Sequence, residues 1–199
     1  MTITNGYCTL AQLKGRLGIA ATDTDDDTEL EKVIEGACRF IDRDRRRVFY
    51  ATSEARYWTP RHSDRLWIDD ATEITKVEVA TSTSLSYSEW TADTDFLTEP
   101  FNSIDGPIMQ LVLHPNSGKY FVRGLRKSAK ITAAWGFAAA VPDDITQACI
   151  LLSLYMWLRK DAPLGVGGMA FLGEIAVNAD LMPADVRGLI NAVPRRSAK

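Results

Sequence analysis

Ile74-Thr75-Lys76-Val77-Glu78-Val79 alternates apolar and polar residues with a period of two. That is the pattern of a strand with one face buried and the other in water. The same period surrounds it. Upstream, Arg56-Tyr57-Trp58-Thr59 reads as a short strand ended by Pro60, and Leu66-Trp67-Ile68 begins another. Downstream, Thr81 to Ser88 is Ser/Thr-rich and reads as an exposed hairpin tip. Ile108-Met109-Gln110-Leu111-Val112-Leu113 is a strand followed by the turn Pro115-Asn116-Ser117-Gly118. Tyr120-Phe121-Val122 and Lys130-Ile131-Thr132-Ala133-Ala134-Trp135 complete the series. Residues 53–136 therefore predict a small antiparallel sheet.

The period is helical on both sides of this region. Thr9 with Gln12 three residues on has the form of a capping box, Leu10, Leu13 and Leu17 share one face, and Gly18 suits the stop. A second helix is expected over 28–47, with Asp23, Asp25, Asp26 and Asp27 before it and Arg39, Arg43, Arg45, Arg46 and Arg47 at its rear. Acids in front and bases behind complement the helix dipole. Leu30, Val33, Ile34, Ala37, Ile41 and Val48 trace its apolar stripe. Pro142-Asp143-Asp144-Ile145 opens a third helix reaching about residue 160, apolar all round from Ala148 to Leu158 except Ser153. That run is too short for a bilayer and predicts a helix buried within the fold or between subunits. Residues 165–168 form a glycine-rich stretch, and 175–177 an extended one. A last amphipathic helix is expected over 183–193, with Val186, Leu189, Ile190 and Val193 on one side, followed by a basic tail. The order predicts an α+β fold. About four helices from 1–52 and 137–199 make a core, with the small antiparallel sheet inserted as a lobe (53–136) between the second and third.

The chain has 199 residues, with 23 Lys and Arg against 26 Asp and Glu, a net charge of -3. This balance excludes a protein that holds nucleic acid by bulk charge. Three cysteines, Cys8, Cys38 and Cys149, are too few for a disulfide scaffold and read as reduced thiols. No N-terminal stretch pairs a basic start with an apolar run, so no secretory signal is expected. The near-zero charge is a cancellation. Residues 23–35 carry seven acids and one Lys, 39–47 five Arg and two Asp, 119–130 five bases and no acid, and 187–199 four bases and no acid. Segregated charge of this kind suits contacts between subunits.

Chemistry is sparse. His62 and His114 stand apart from any Cys or carboxylate at ligand spacing, so no metal site is expected. Cys149 lies in the most apolar helix, where a thiol is unreactive. Gly165-Val166-Gly167-Gly168-Met169-Ala170 formally matches a dinucleotide fingerprint but follows a helix instead of a strand. There is no Walker A sequence and no G-x-S-x-G elbow. The chain is expected to be no enzyme and to need no cofactor.

The order and spacing of several pieces resemble the head–tail connector (adaptor, or head-completion) proteins of long-tailed bacteriophages and prophages. The carriers are Leu10-Ala11-Gln12-Leu13-Lys14; Leu30 to Ile41 ending in Arg47-Val48-Phe49-Tyr50; Leu66-Trp67-Ile68-Asp69-Asp70; Asp95-Phe96-Leu97-Thr98-Glu99-Pro100; Trp135-Gly136-Phe137 with Val141-Pro142-Asp143-Asp144-Ile145; and Arg159-Lys160-Asp161-Ala162-Pro163-Leu164. The resemblance implies a non-enzymatic virion protein of the neck, assembled in the host cytoplasm. It implies a homo-oligomeric ring of twelve below the portal. The ring extends the DNA channel and presents a platform to the stopper or tail-completion protein, and the genome passes through without sequence-specific binding.

Two sets of residues follow as expectations. Val186, Leu189, Ile190, Val193, Arg195 and Arg196 are expected to dock the portal, so that removing 183–199 abolishes docking and leaves the fold intact. Asp25, Asp26, Asp27 and Glu31 are expected to meet Arg43, Arg46 and Arg47 of a neighbouring subunit, because a ring needs two complementary faces on each copy. The rival reading is a DNA-contacting module using the Arg39–Arg47 cluster.

Overall fold

The computed structural model describes residues 3–102, 106–159 and 182–196. Two compact units make it up: a helical unit from Met1–Arg46 and Val141–Arg196, and a sheet unit, Arg47–Ala140. The sheet unit is thus an insertion between two parts of the helical one, and the fold is α+β.

In the helical unit, α1 is Leu10–Leu17. The Thr9 hydroxyl accepts the Gln12 N–H at 3.2 Å, and the Gln12 side chain accepts the Thr9 N–H at 2.8 Å, closing the capping box. Gly18 ends the helix in the left-handed region at φ 73. α2 is Asp27–Arg45, with acids in its first turn and arginines in its last. It buries Leu30, Ile34, Ala37, Cys38 and Ile41. Arg46 turns to φ 55 and stops it, so Val48 lies beyond the helix and is exposed instead of extending the stripe. α3, Asp143–Leu158, is the centre of the unit and packs on α1, α2 and α4 (Ala184–Asn191). Ile145, Ala148, Cys149, Leu152 and Ser153 are wholly enclosed, whereas Tyr155 and Leu158 remain exposed near its end. Each large apolar side chain enclosed in this way contributes about 1.5–3 kcal/mol. The stretches expected at 165–168 and 175–177 lie outside the described residues.

Among the described residues the sheet unit holds six strands: β1 (Thr52–Trp58), β2 (Arg65–Ala80), β3 (Tyr87–Trp90), β4 (Phe96–Glu99), β5 (Ile108–Leu113) and β6 (Ala129–Trp135). These strands pair with one another antiparallel, in the order β1-β6-β2-β5-β4, with β3 also on β2. The strands expected at 66–68 and 74–79 are one strand, β2, whose register shifts between Ala71 and Glu73 and between Ile74 and Lys76. One end of β2 pairs with β5 and the other with β3, and β6 runs along its opposite side. Residues 120–122 are not a strand, although Phe121 is buried against Trp90 with ring centroids 4.9 Å apart. The core of the unit gathers Leu66, Ile68, Val77, Val79, Leu111, Ile131 and Trp135. Trp58 packs on Trp135 at 4.9 Å, while Trp67 stands exposed.

Candidate functional site

The acidic and basic segments of the second helix sit at its two ends. Nineteen residues of α-helix span about 28 Å. At the front, Asp25 and Asp26 are exposed. Asp27 is not available to a neighbour in the same way: it pairs with the buried Lys14 ammonium at 2.7 Å, and Lys14 also donates to the Asp23 carbonyl. Glu31 is half-buried one turn on. At the rear, Arg43 and Arg46 are exposed.

The other three arginines of the run have partners within the chain, Arg39 while still largely in water and Arg45 and Arg47 with their side chains enclosed. Arg39 pairs with Asp42 at 3.3 Å and donates to the Asn5 carbonyl. Asp42 also accepts the Tyr7 hydroxyl, and burial raises its carboxyl above the usual carboxylate range. Arg45 pairs with Asp44 at 2.6 Å and donates to the Val193 carbonyl at 3.4 Å. Arg47 belongs to the sheet unit. Its guanidinium meets Asp70 at 2.8 Å with both side chains almost wholly enclosed, and it lies 5.2 Å from the centre of the Phe137 ring. Arg47, expected at a subunit interface, thus has its ion-pair partner within its own chain. A charge buried this deeply is bound to its internal partner, since exposing it leaves Asp70 uncompensated. Asp70 is legible in the sequence only as a turn residue, because nothing there links it to a base 23 positions away.

The C-terminal residues expected to dock the portal are divided between covered and exposed positions. Val186, Ile190 and Val193 are buried in their own subunit, where α4 packs on α3; Leu189 is half-buried. An amphipathic pattern shows that a face needs covering and does not say by what. Arg195 is exposed, and the Arg196 N–H donates to the Arg45 carbonyl at 3.0 Å. Val186, Ile190 and Val193 thus cover part of α3, so removing the C-terminal helix is expected to cost stability as well as any docking.

The second basic segment, 119–130, is divided differently. Lys130 pairs with Glu78 at 2.8 Å on the sheet, where Lys76 joins at 3.1 Å. Lys130 and then Lys76 hold the Glu78 carboxyl below the usual range. Lys119 pairs with Asp95 at 3.6 Å. Arg123, Arg126 and Lys127 are exposed, and among the described residues no carboxylate pairs with them. Arg61, which no spacing argument joins to this segment, shares a concave surface with Arg123.

The three thiols meet in the core of the helical unit. The Cys149 sulfur lies 3.4 Å from that of Cys8 and 3.5 Å from that of Cys38, and all three are buried. Contact with Cys38, contact with Cys8 and burial hold the Cys149 thiol far above its usual range. No thiolate is presented to solvent, so this is packing. Among the described residues no group of His, Cys, Asp or Glu is placed to hold a metal ion. No described helix is long and apolar enough to cross a membrane.

No protein-family model and no curated protein matches the sequence. Solved structures do match the fold from end to end. A chain from the neck of an empty gene transfer agent particle, reconstructed with six-fold symmetry, has a TM-score of 0.62 at 17% identity, over 100% of this chain and 95% of that one. A chain from the native particle's neck, reconstructed with twelve-fold symmetry, has a TM-score of 0.61 at 15% identity, over 100% and 94%. A chain of the native virion has a TM-score of 0.61 at 16% identity, over 100% and 95%. This chain therefore shares the fold of a chain that builds the neck of a phage-like particle.

Proposed function

We propose that the protein is a structural, non-enzymatic subunit of the neck of a phage particle. It forms a ring below the portal, extends the DNA channel and carries the stopper or tail-completion protein. The observation that carries this reading is the end-to-end likeness to the gene transfer agent neck chain, with no long segment of either chain left over. The six-fold and twelve-fold symmetries of those necks support a ring of twelve. The exposed charges fit it as well. Asp25 and Asp26 at one end of α2 and Arg43 and Arg46 at the other supply two opposite faces about 28 Å apart, as head-to-tail packing requires. Tyr155 and Leu158 add exposed apolar surface on α3. Portal docking then falls to Arg195 and the exposed side of α4, since the apolar side is covered.

Electron microscopy of the protein, alone and mixed with its portal, tests the reading. Rings with a central channel are expected. Discrete single subunits in both samples overturn it. Asp25→Arg with Asp26→Arg is expected to block assembly, and Arg43→Asp with Arg46→Asp to restore it when combined in the same chain. Failure of the combined variant to form rings, with each variant folded, removes these residues from the interface. The rival, DNA contact through Arg39–Arg47, loses support because three of those five arginines are tied to Asp42, Asp44 and Asp70.

A further inference from the structure

We propose that the loops joining β1 to β2 and β5 to β6 form a contact for the phosphates of duplex DNA. The two connections, residues 59–64 and 114–128, are stapled together by backbone. The Gly124 N–H donates to the Pro60 carbonyl at 2.9 Å, the Phe121 N–H to the Ser63 carbonyl at 2.9 Å, and the Lys127 N–H to the Thr59 hydroxyl at 3.2 Å. Between them is a concave surface lined by Thr59, Pro60, Arg61, Arg123 and Gly124. Gly124 sits at φ +75 and presents no side chain, which leaves the concavity open between the two arginines.

These connections carry Arg61, Lys119, Arg123, Arg126 and Lys127 against one acid, Asp64. Asp64 is taken by Arg65 at 2.9 Å, and Lys119 by Asp95. Arg61, Arg123 and Arg126 are exposed, and among the described residues no carboxylate pairs with them. Lys127 is exposed, and its ammonium lies over the Tyr57 ring, 5.9 Å from its centre.

Guanidinium groups match phosphate oxygens in pairs and give up their water more readily than ammonium groups. The arginines are exposed and spread over two loops, with no buried donor between them. Such a surface gains little from one small anion. It gains from a polymer that meets several cations at once and releases its counterions. The choice of duplex DNA as that polymer rests on the neck reading, in which the genome passes the ring. The surface offers charge and no device for reading bases, so binding is independent of sequence.

Anisotropy of labelled duplexes of two unrelated sequences, titrated with the full-length protein over a salt series, tests this. Both duplexes are expected to bind alike, with log affinity falling linearly against log salt. Arg61→Ala, Arg123→Ala and Arg126→Ala combined are expected to lower low-salt affinity about tenfold or more. They should also flatten the slope by about 2–3, near 0.9 for each phosphate that is no longer neutralised. Changing the same three to Lys retains most of the slope, and Arg16→Ala with Lys32→Ala, two exposed bases outside both proposed contacts, leaves it unchanged. Unfolding curves confirm that each variant folds. Absence of duplex binding at low salt overturns the proposal, as does an equal drop in affinity for the Arg16/Lys32 variant. Equally tight binding of polyglutamate also overturns it, because the partner is then an acidic polypeptide. Rings without DNA binding defeat this proposal alone; DNA binding without rings defeats the neck reading.

Discussion

Residues 39–47 and 119–130 look alike as sequence, each with five bases in a dozen positions or fewer, yet the fold treats them in opposite ways. In the first, a helix winds its arginines around the axis. Asp42 and Asp44 lie among them, and Asp70 receives Arg47 in the sheet unit. In the second, only the bases at the margins reach a carboxylate among the described residues, Lys119 at one end and Lys130 at the other. The count of charges is a property of sequence. Their availability to a partner depends on which carboxylates the fold brings near, and that is where the two segments part.

The sharpest way to break this comparison is to delete one arginine of the first segment at a time. Arg47→Ala removes the ion-pair partner of the buried Asp70, and should cost about 3–5 kcal/mol of stability. Arg43→Ala should cost less than about 0.5 kcal/mol, as exposed substitutions do. Urea unfolding measures both, and equal losses would show that burial does not separate the two arginines.

Next in size is the helix to which the same segment is tied through Arg45. Ile190→Ala should cost about 3 kcal/mol, because the residue is fully enclosed. Leu189→Ala should cost clearly less. If the two variants unfold at the same urea concentration, the α4 face is not covered by α3, and the portal-docking expectation returns.

A smaller loss is expected beside the Arg47 pair. Gly136 approaches the backbone so closely that an added Cβ would lie 2.3 Å from the Tyr50 carbonyl oxygen. Gly136→Ala should therefore cost about 1–3 kcal/mol by overpacking. An unchanged melting temperature would show that this junction gives way freely.

The smallest effect belongs to the second segment. Glu78→Gln removes the partner of Lys130 and Lys76, and should cost less than about 1 kcal/mol at neutral pH. The Glu78 carboxyl is held below its usual range. Its contribution is thus complete above the unfolded value of about 4.3 and lost as pH falls through the lower folded value. The melting temperatures of the variant and the unaltered protein should converge on acidification. A gap that widens in acid would reverse the sign and exclude this network.

Much of the helical unit is legible in the sequence because its signals are local. Thr9 with Gln12, Gly18, the stripe from Leu30 to Ile41 and Pro142 before Asp143 each act within a turn or two of themselves. The sheet unit is legible as a class and less so in detail. Asp69-Asp70 reads as a boundary, which splits β2 into two expected strands. In the structure Asp70 is buried mid-strand, made tolerable by Arg47. Tyr120-Phe121-Val122 reads as a strand because its residues are aromatic and β-branched, but the chain there pairs with no strand and only lodges Phe121 against Trp90. β4, at 96–99, is a short edge paired with β5 and carries too little pattern to stand out.

The sequence by itself determined the class of fold, the position of the inserted sheet, the caps and faces of the first two helices, and the segregation of charge. These follow from periodicity and from interactions between neighbours in the chain. Only the tertiary structure decided which charges are open to a partner. It buried Arg47 on Asp70, placed Asp27 against Lys14, turned the apolar side of α4 onto α3, gathered Cys8, Cys38 and Cys149, and set Arg61 beside Arg123. Each of these joins residues distant in sequence. The energy of such a pair depends on distance and enclosure, and neither is written into the order of residues along the chain.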